Sequence, residues 1–80
     1  MGWIDIANEE VRAAVGGNSA ALERILGATQ DPVFNLALRF LWHPQDAQDA
    51  TQEILIRVMT NLATFRGESA FGTWAYRIAV

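Results

Sequence analysis

Residues 46–64 read DAQDATQEILIRVMTNLAT, and the spacing of their apolar side chains decides what kind of fold this chain builds. At about 100° per residue, Ala47, Ala50, Ile54, Leu55, Val58 and Leu62 gather on one side of a helical wheel. A stripe of that width marks a helix packed on a core. Asp46 is the expected N-cap, so the helix should run from about Ala47 to Thr64 as the longest of the chain. The other side of the wheel carries Asp49, Gln52, Glu53, Ile56 and Thr60 within an arc of roughly 100°. Two carboxylates and a carboxamide around an isoleucine suit a partner surface, with the acids meeting arginines on another molecule. The competing reading is plain surface: acids near a helix N-terminus favour its dipole anyway, and single exposed isoleucines are common. From periodicity alone both readings stand.

Working outward, helix punctuation recurs and no alternating β-branched run signals a strand. A first helix is expected from about Ile6 to Val15, stopped by Gly16-Gly17, a pair that should leave residues 1–17 loosely attached. Asn18 can cap a second helix with Ala21, Leu22, Ile25 and Leu26 on one face. Asp31-Pro32 has the order of a helix start, an acceptor followed by proline. The third helix then carries Phe34, Leu38 and Leu41 at helical spacing, widened by Val33, Ala37 and Phe40, and ends by His43 because Pro44 follows. Gly67 breaks the long helix, and Ser69 is the expected cap of a closing helix from Ala70 onward. The sum is one all-α domain over residues 1–80, a compact bundle of four to five helices.

The totals exclude several function classes. An apolar fraction of 51% supplies a core and argues against disorder. With no cysteine and one histidine, His43, neither disulfides nor an ordinary zinc site can form, and no cofactor is expected. No apolar run reaches the length of a membrane span and no leader opens the chain, so a soluble cytoplasmic protein without membrane partners is the default expectation. All six basic residues are arginine, yet the formal net charge is −3. A free-standing DNA binder is usually basic, because phosphate neutralisation dominates its affinity. If this chain touches DNA, something else supplies much of the attraction.

The last residues, RGESAFGTWAYRIAV (66–80), concentrate aromatics and arginines. Together with the long helix they carry a family likeness. Asp49-Ala50-Thr51-Gln52-Glu53, then Phe65-Arg66-Gly67, then Phe71-Gly72-Thr73-Trp74-Ala75-Tyr76-Arg77-Ile78-Ala79 closely resemble region 2 of bacterial RNA polymerase sigma factors of the extracytoplasmic-function (ECF) group. The upstream stretches GNSAALERIL and DPVFNLALRFL also resemble the start of these proteins. Residues before about position 12 add nothing to the likeness.

The resemblance implies a transcription initiation domain that docks on the clamp coiled coil of the RNA polymerase core. It further implies recognition of the −10 promoter element, with the melted, single-stranded non-template strand held. The family's polymerase-binding surface maps onto Asp49, Gln52 and Glu53, with Ile56 beside them, so residues 46–64 become the polymerase-binding helix. Residues 65–80 become the −10-reading loop and a truncated helix. In that loop, Arg66 is the implied phosphate contact, Gly67 permits close backbone approach, and Ser69 is a base or backbone contact as well as a cap. On the following helix Thr73, Tyr76 and Arg77 fall opposite Phe71, Trp74, Ala75 and Ile78. An outward Tyr76 beside Arg77 suits a single strand held by stacking and positive charge. The competing reading has Tyr76 packed on a neighbouring helix and Arg77 paired with an acid. Housekeeping members carry a Trp-Trp pair where this chain has Trp74-Ala75, a departure that weighs against strong autonomous melting. The resemblance also implies a second domain, region 4, and an asparagine just after Arg-Ile-Ala-x; neither lies within residues 1–80, so an excised or truncated region 2 is expected. Members of this group are commonly held inactive by an anti-sigma factor, which is therefore a possible further partner.

An enzyme is not expected. His43 has no organised Ser or Asp partner, and Asp49 and Glu53 sit on an open helix face with no pocket around them. The alternative function is a pure protein-interaction module that binds polymerase or an anti-sigma protein without reading DNA.

Overall fold

The computed structural model describes residues 3–79. Four helices make up the described chain: α1 (Asn8–Val15), α2 (Ser19–Leu41), α3 (Pro44–Asn61) and α4 (Phe71–Ala79), with a 3-10 turn at Leu62–Thr64 after α3. No strand occurs among the described residues, so the all-α expectation holds. The antiparallel pair α2 and α3 forms the body. α1 lies on α2, and α4 returns across the end of α3. The core is a cluster of Ile4, Val11, Ile25, Val58, Leu62, Phe71 and Ala75. Beside it Phe65, Phe71 and Trp74 form a ring of aromatic contacts with centroids 5.4–5.9 Å apart. Each such pair adds about 0.5–1.5 kcal/mol beyond area burial.

The largest departure from the sequence reading is at Asp31-Pro32. It does not start a helix: α2 runs straight through it as the longest helix of the molecule. Proline there removes one backbone hydrogen bond and crowds the carbonyl of Ala28, at a cost of about 3 kcal/mol. Burial on either side outweighs that cost, since Ile25, Thr29 and Val33 are all fully buried in one continuous stripe. The Asn18 cap is present, its Oδ1 accepting from the Ala21 amide at 3.1 Å.

The start of α3 also differs. It begins at Pro44 rather than after an Asp46 cap, with His43 in the N-cap position making no side-chain bond. Proline suits the first helical position because its missing N–H has no intrahelical partner there anyway. Asp46 then sits in the first turn, where its charge favours the dipole. The core stripe of α3 is Ala47, Thr51 and Val58, continued by Leu62 in the 3-10 turn, with Ala50, Ile54 and Leu55 half-buried. Thr51 was not expected inside. Its hydroxyl donates to the Ala47 carbonyl at 2.7 Å, as Thr29 does to Ile25 at 2.6 Å. A threonine bonded in this way presents its methyl group to the core and leaves no polar atom unpaired.

The N-terminal stretch and the far end of α2 behave unlike the sequence expectation. Residues 3–7 are not helical, and α1 starts at Asn8, two residues later than expected. Nor is α1 loosely held: Val11 is 1% exposed, and Glu10 pairs with Arg24 of α2 at 2.9 Å. The stretch before it is a strap across α4. A β-carbon at Gly72 would stand 2.9 Å from the Ile4 carbonyl oxygen, so only glycine lets the strap and α4 approach this closely. At the far end of α2, Phe40 and Leu41 leave the expected core stripe and are exposed, followed by Trp42 with φ 64°. The stripe outruns its partners there: past Ala37 it borders an open apolar groove whose other lining is Ala50 and Ile54 of α3 and the end of α4 at Ala79.

Candidate functional site

The residues singled out from the sequence fall on two separate surfaces. On α3, Asp49, Gln52, Glu53 and Ile56 are all exposed, one turn apart along the outer face. Asp49 accepts from the Gln45 side chain at 3.4 Å, and Glu53 pairs with Arg57 one turn on at 3.2 Å. Both interactions lie in solvent and are weak, so an incoming arginine can replace them. Ile56 is 56% exposed. It is not isolated: Gln52 and Ile56 border a groove of ≈ 600 Å³ between α2 and α3, floored by Leu26, Phe34, Leu55 and Met59. The face is therefore apolar on one side and acidic on the other, the composition of a helix-docking groove. The wheel missed Met59, 43% exposed, and the α2 wall, because the expected helix break at Pro32 hid how the two helices align.

The second surface is built by the loop after α3 and by α4. Thr73, Tyr76 and Arg77 are exposed on α4, while Phe71 and Ala75 are buried and Trp74 and Ile78 are half-buried against the core. The three outward residues border one groove with Trp3, Ile4 and Gly72. Tyr76 is 45% exposed and meets Trp3 edge-on, centroids 5.4 Å apart and planes at 86°. An edge contact braces the tyrosine ring while leaving a face free for stacking. Arg66 and Gly67 do not join this groove. They line another, of ≈ 340 Å³, between the loop and α1. Gly67 has φ +76°, a left-handed conformation the loop needs in order to turn. Ser69 borders neither groove and does not cap α4; its hydroxyl donates to the neighbouring Ala70 carbonyl at 3.3 Å. α4 opens instead with the Trp74 amide on the Ala70 carbonyl.

Charge separates the two surfaces. Of the six arginines, Arg24 and Arg57 pair with Glu10 and Glu53, and the mutual hydrogen bonds hold the Glu10 carboxyl below its ordinary value. The other four, Arg12, Arg39, Arg66 and Arg77, have no carboxylate in ion-pair range among the described residues. All four border grooves built on the strap, α1, the loop or α4. None of the four borders the groove beside Gln52 and Ile56. Among the described residues no cluster of three metal-ligating side chains occurs, and no helix is long and apolar enough to cross a membrane.

The sigma-70 region 2 family model matches residues 25–80. The chain belongs to that family, whose members are domains of transcription initiation factors rather than enzymes. Over 64 residues it is 41% identical to the RNA polymerase sigma-H factor of Pseudomonas aeruginosa, covering 80% of this chain and 33% of the relative. It is 39% identical to the ECF RNA polymerase sigma-E factor of Haemophilus influenzae over the same shares. With the ECF RNA polymerase sigma factor SigW of Bacillus subtilis it shares 31% over 71 residues, 89% of this chain and 38% of that one. The chain spans about a third of the length of these curated relatives. No solved structure matches it.

Proposed function

We propose that this domain docks on the clamp coiled coil of RNA polymerase through the outer face of α3 and holds the melted −10 strand with the loop and α4. The observation that carries the reading is the sorting of side chains onto two faces. Carboxylates, an amide and an apolar groove occupy one, and unpaired arginines with a braced, exposed tyrosine occupy the other. Asp49 and Glu53 supply charge for basic groups on the polymerase, Gln52 a hydrogen-bonding pair, and Ile56 the apolar anchor. On the second face Arg77 and Arg66 neutralise phosphates and Tyr76 stacks a base, while Thr73 offers a hydroxyl. Gly67 lets the strand approach the loop backbone. Ser69 donates its hydroxyl to Ala70 and keeps its acceptor lone pairs for the strand.

Family membership and the ECF relatives support this reading, and a cytoplasmic location follows from it. An anti-sigma protein competing for the α3 groove is compatible with the same chemistry. The test uses core polymerase and a fluorescent single-stranded −10 oligonucleotide. The domain should bind both, and Arg77→Ala should weaken only the oligonucleotide, with a shallower salt dependence. If no promoter DNA binds even with polymerase present, the DNA half is wrong, and the domain is a protein-interaction module.

A further inference from the structure

Helix α1 lies outside the segment matched to the family, yet it forms one wall of the groove that holds Arg66 and Gly67. The floor of that groove is apolar, Val11 and Phe65, and its polar groups are few: Asn8, Arg12 and Arg66. Two features tie the walls together. The Asn8 amide nitrogen stands 3.5 Å from where a β-carbon on Gly67 would be, so α1 and the loop touch at that point. Arg12 and Arg66, from opposite walls, are both exposed and both free of carboxylate partners among the described residues. Two like charges kept on one groove without a counter-ion repel each other. An anion between them turns that repulsion into attraction. The glutamates of α1 do not fill this role: Glu10 is committed to Arg24, and Glu9 does not border the groove.

We propose that this groove is a phosphate site for the bound single strand, in which Arg12 of α1 and Arg66 of the loop hold one backbone phosphate jointly and the Asn8 amide adds a hydrogen bond. The inference rests on the DNA reading of the loop and extends it to a helix that lies outside the segment the family model matches. It makes α1 part of the nucleic-acid interface instead of a packing accessory. A guanidinium suits the task better than an ammonium, because its planar fork matches two phosphate oxygens at once.

The test titrates the whole 80-residue chain with a fluorescent single-stranded oligonucleotide over a range of salt concentrations, using Arg12→Gln, Arg66→Gln, the double variant and Arg12→Lys. Each glutamine variant should lower affinity about tenfold at low salt and make the slope of log affinity against log salt shallower, and the double variant should reduce that slope by about 0.7, one phosphate's worth. The double variant should lose less than the sum, because both arginines serve one phosphate. Arg12→Lys should restore the slope and only part of the affinity. Unchanged affinity and slope for Arg12→Gln, alongside weakening by Arg77→Ala, overturn the phosphate site and leave the proposed function standing. If Arg77→Ala is silent as well, the proposed function falls, and the phosphate site with it. Additive losses in the double variant would also overturn it, since they mean two separate contacts. Inorganic phosphate at matched ionic strength should not displace the oligonucleotide. Displacement would identify a site for free phosphate and overturn the assignment to a strand.

Discussion

The outer face of α3 and the outer face formed by the loop and α4 are made from the same small alphabet, yet they are held in opposite ways. On α3 every functional side chain comes from one regular helix, and the charged ones are braced at most by a neighbour one turn away, as Glu53 is by Arg57. The other face draws on distant residues. Tyr76 leans on Trp3, α4 is set against Ile4 through Gly72, and Arg66 shares its groove with Arg12. The first surface is written locally. The second is assembled by the N-terminal strap and α1 from residues most of the chain away. A local surface loses function by changing its own side chains, whereas an assembled one can also be lost by moving its supports.

Four experiments break or sharpen that contrast. Gln52→Ala with Glu53→Arg should have the largest effect, cutting polymerase capture at least about thirtyfold, or about 2 kcal/mol, with helicity and oligonucleotide binding intact; retained capture refutes the docking face. Tyr76→Ala should cost one stacked base, about 1–3 kcal/mol of oligonucleotide affinity, whereas Tyr76→Phe keeps the ring and should bind almost normally. Equal losses in the two variants would mean that the hydroxyl, not the ring, is what matters. Gly72→Ala pushes a methyl group against the Ile4 carbonyl and should lower stability by about 1–3 kcal/mol. Its folded fraction should bind oligonucleotide less well through the displaced strap and still capture polymerase, an outcome read by denaturant titration beside both binding assays.

The smallest effect concerns pH. Hydrogen bonds from Arg24, and secondarily its charge, hold Glu10 below the ordinary carboxylate value in the folded state. Stability from this pair is therefore complete above the unfolded-state pKa and is lost as pH falls through the lowered one. The difference in Tm between the parent and Glu10→Gln should be small at neutral pH and vanish in strong acid. A difference that grew on acidification would reverse the sign and refute the pairing.

What could be read from the sequence follows the same division. The two faces of α3, and the inward and outward sets of α4, were legible because a helix fixes direction from spacing alone. Ile56 was picked out, but the groove beside it was not, since its other wall lies on α2. The break expected at Pro32 failed because a proline rule is local, and the burial of Thr29 and Val33 against α3 is not. Thr51 was assigned to neither face because a wheel counts a hydroxyl as polar, although this one is satisfied by its own helix. Ser69 looked like a cap by residue type, and the loop instead turns its hydroxyl onto Ala70. Arg12 and Trp3 carried no local signal at all. Their roles depend on which distant residue each one meets.

The strap has a practical consequence for anyone preparing this domain. The family signature occupies residues 25–80, and a trimmed gene would naturally start there. Such a piece would keep the motifs at Asp49–Glu53 and Phe65–Ala79 and yet lose Ile4 and Val11 from the interior, uncovering Phe71 and Ala75. The shortest stretch that identifies the domain is not the shortest stretch that can be purified folded.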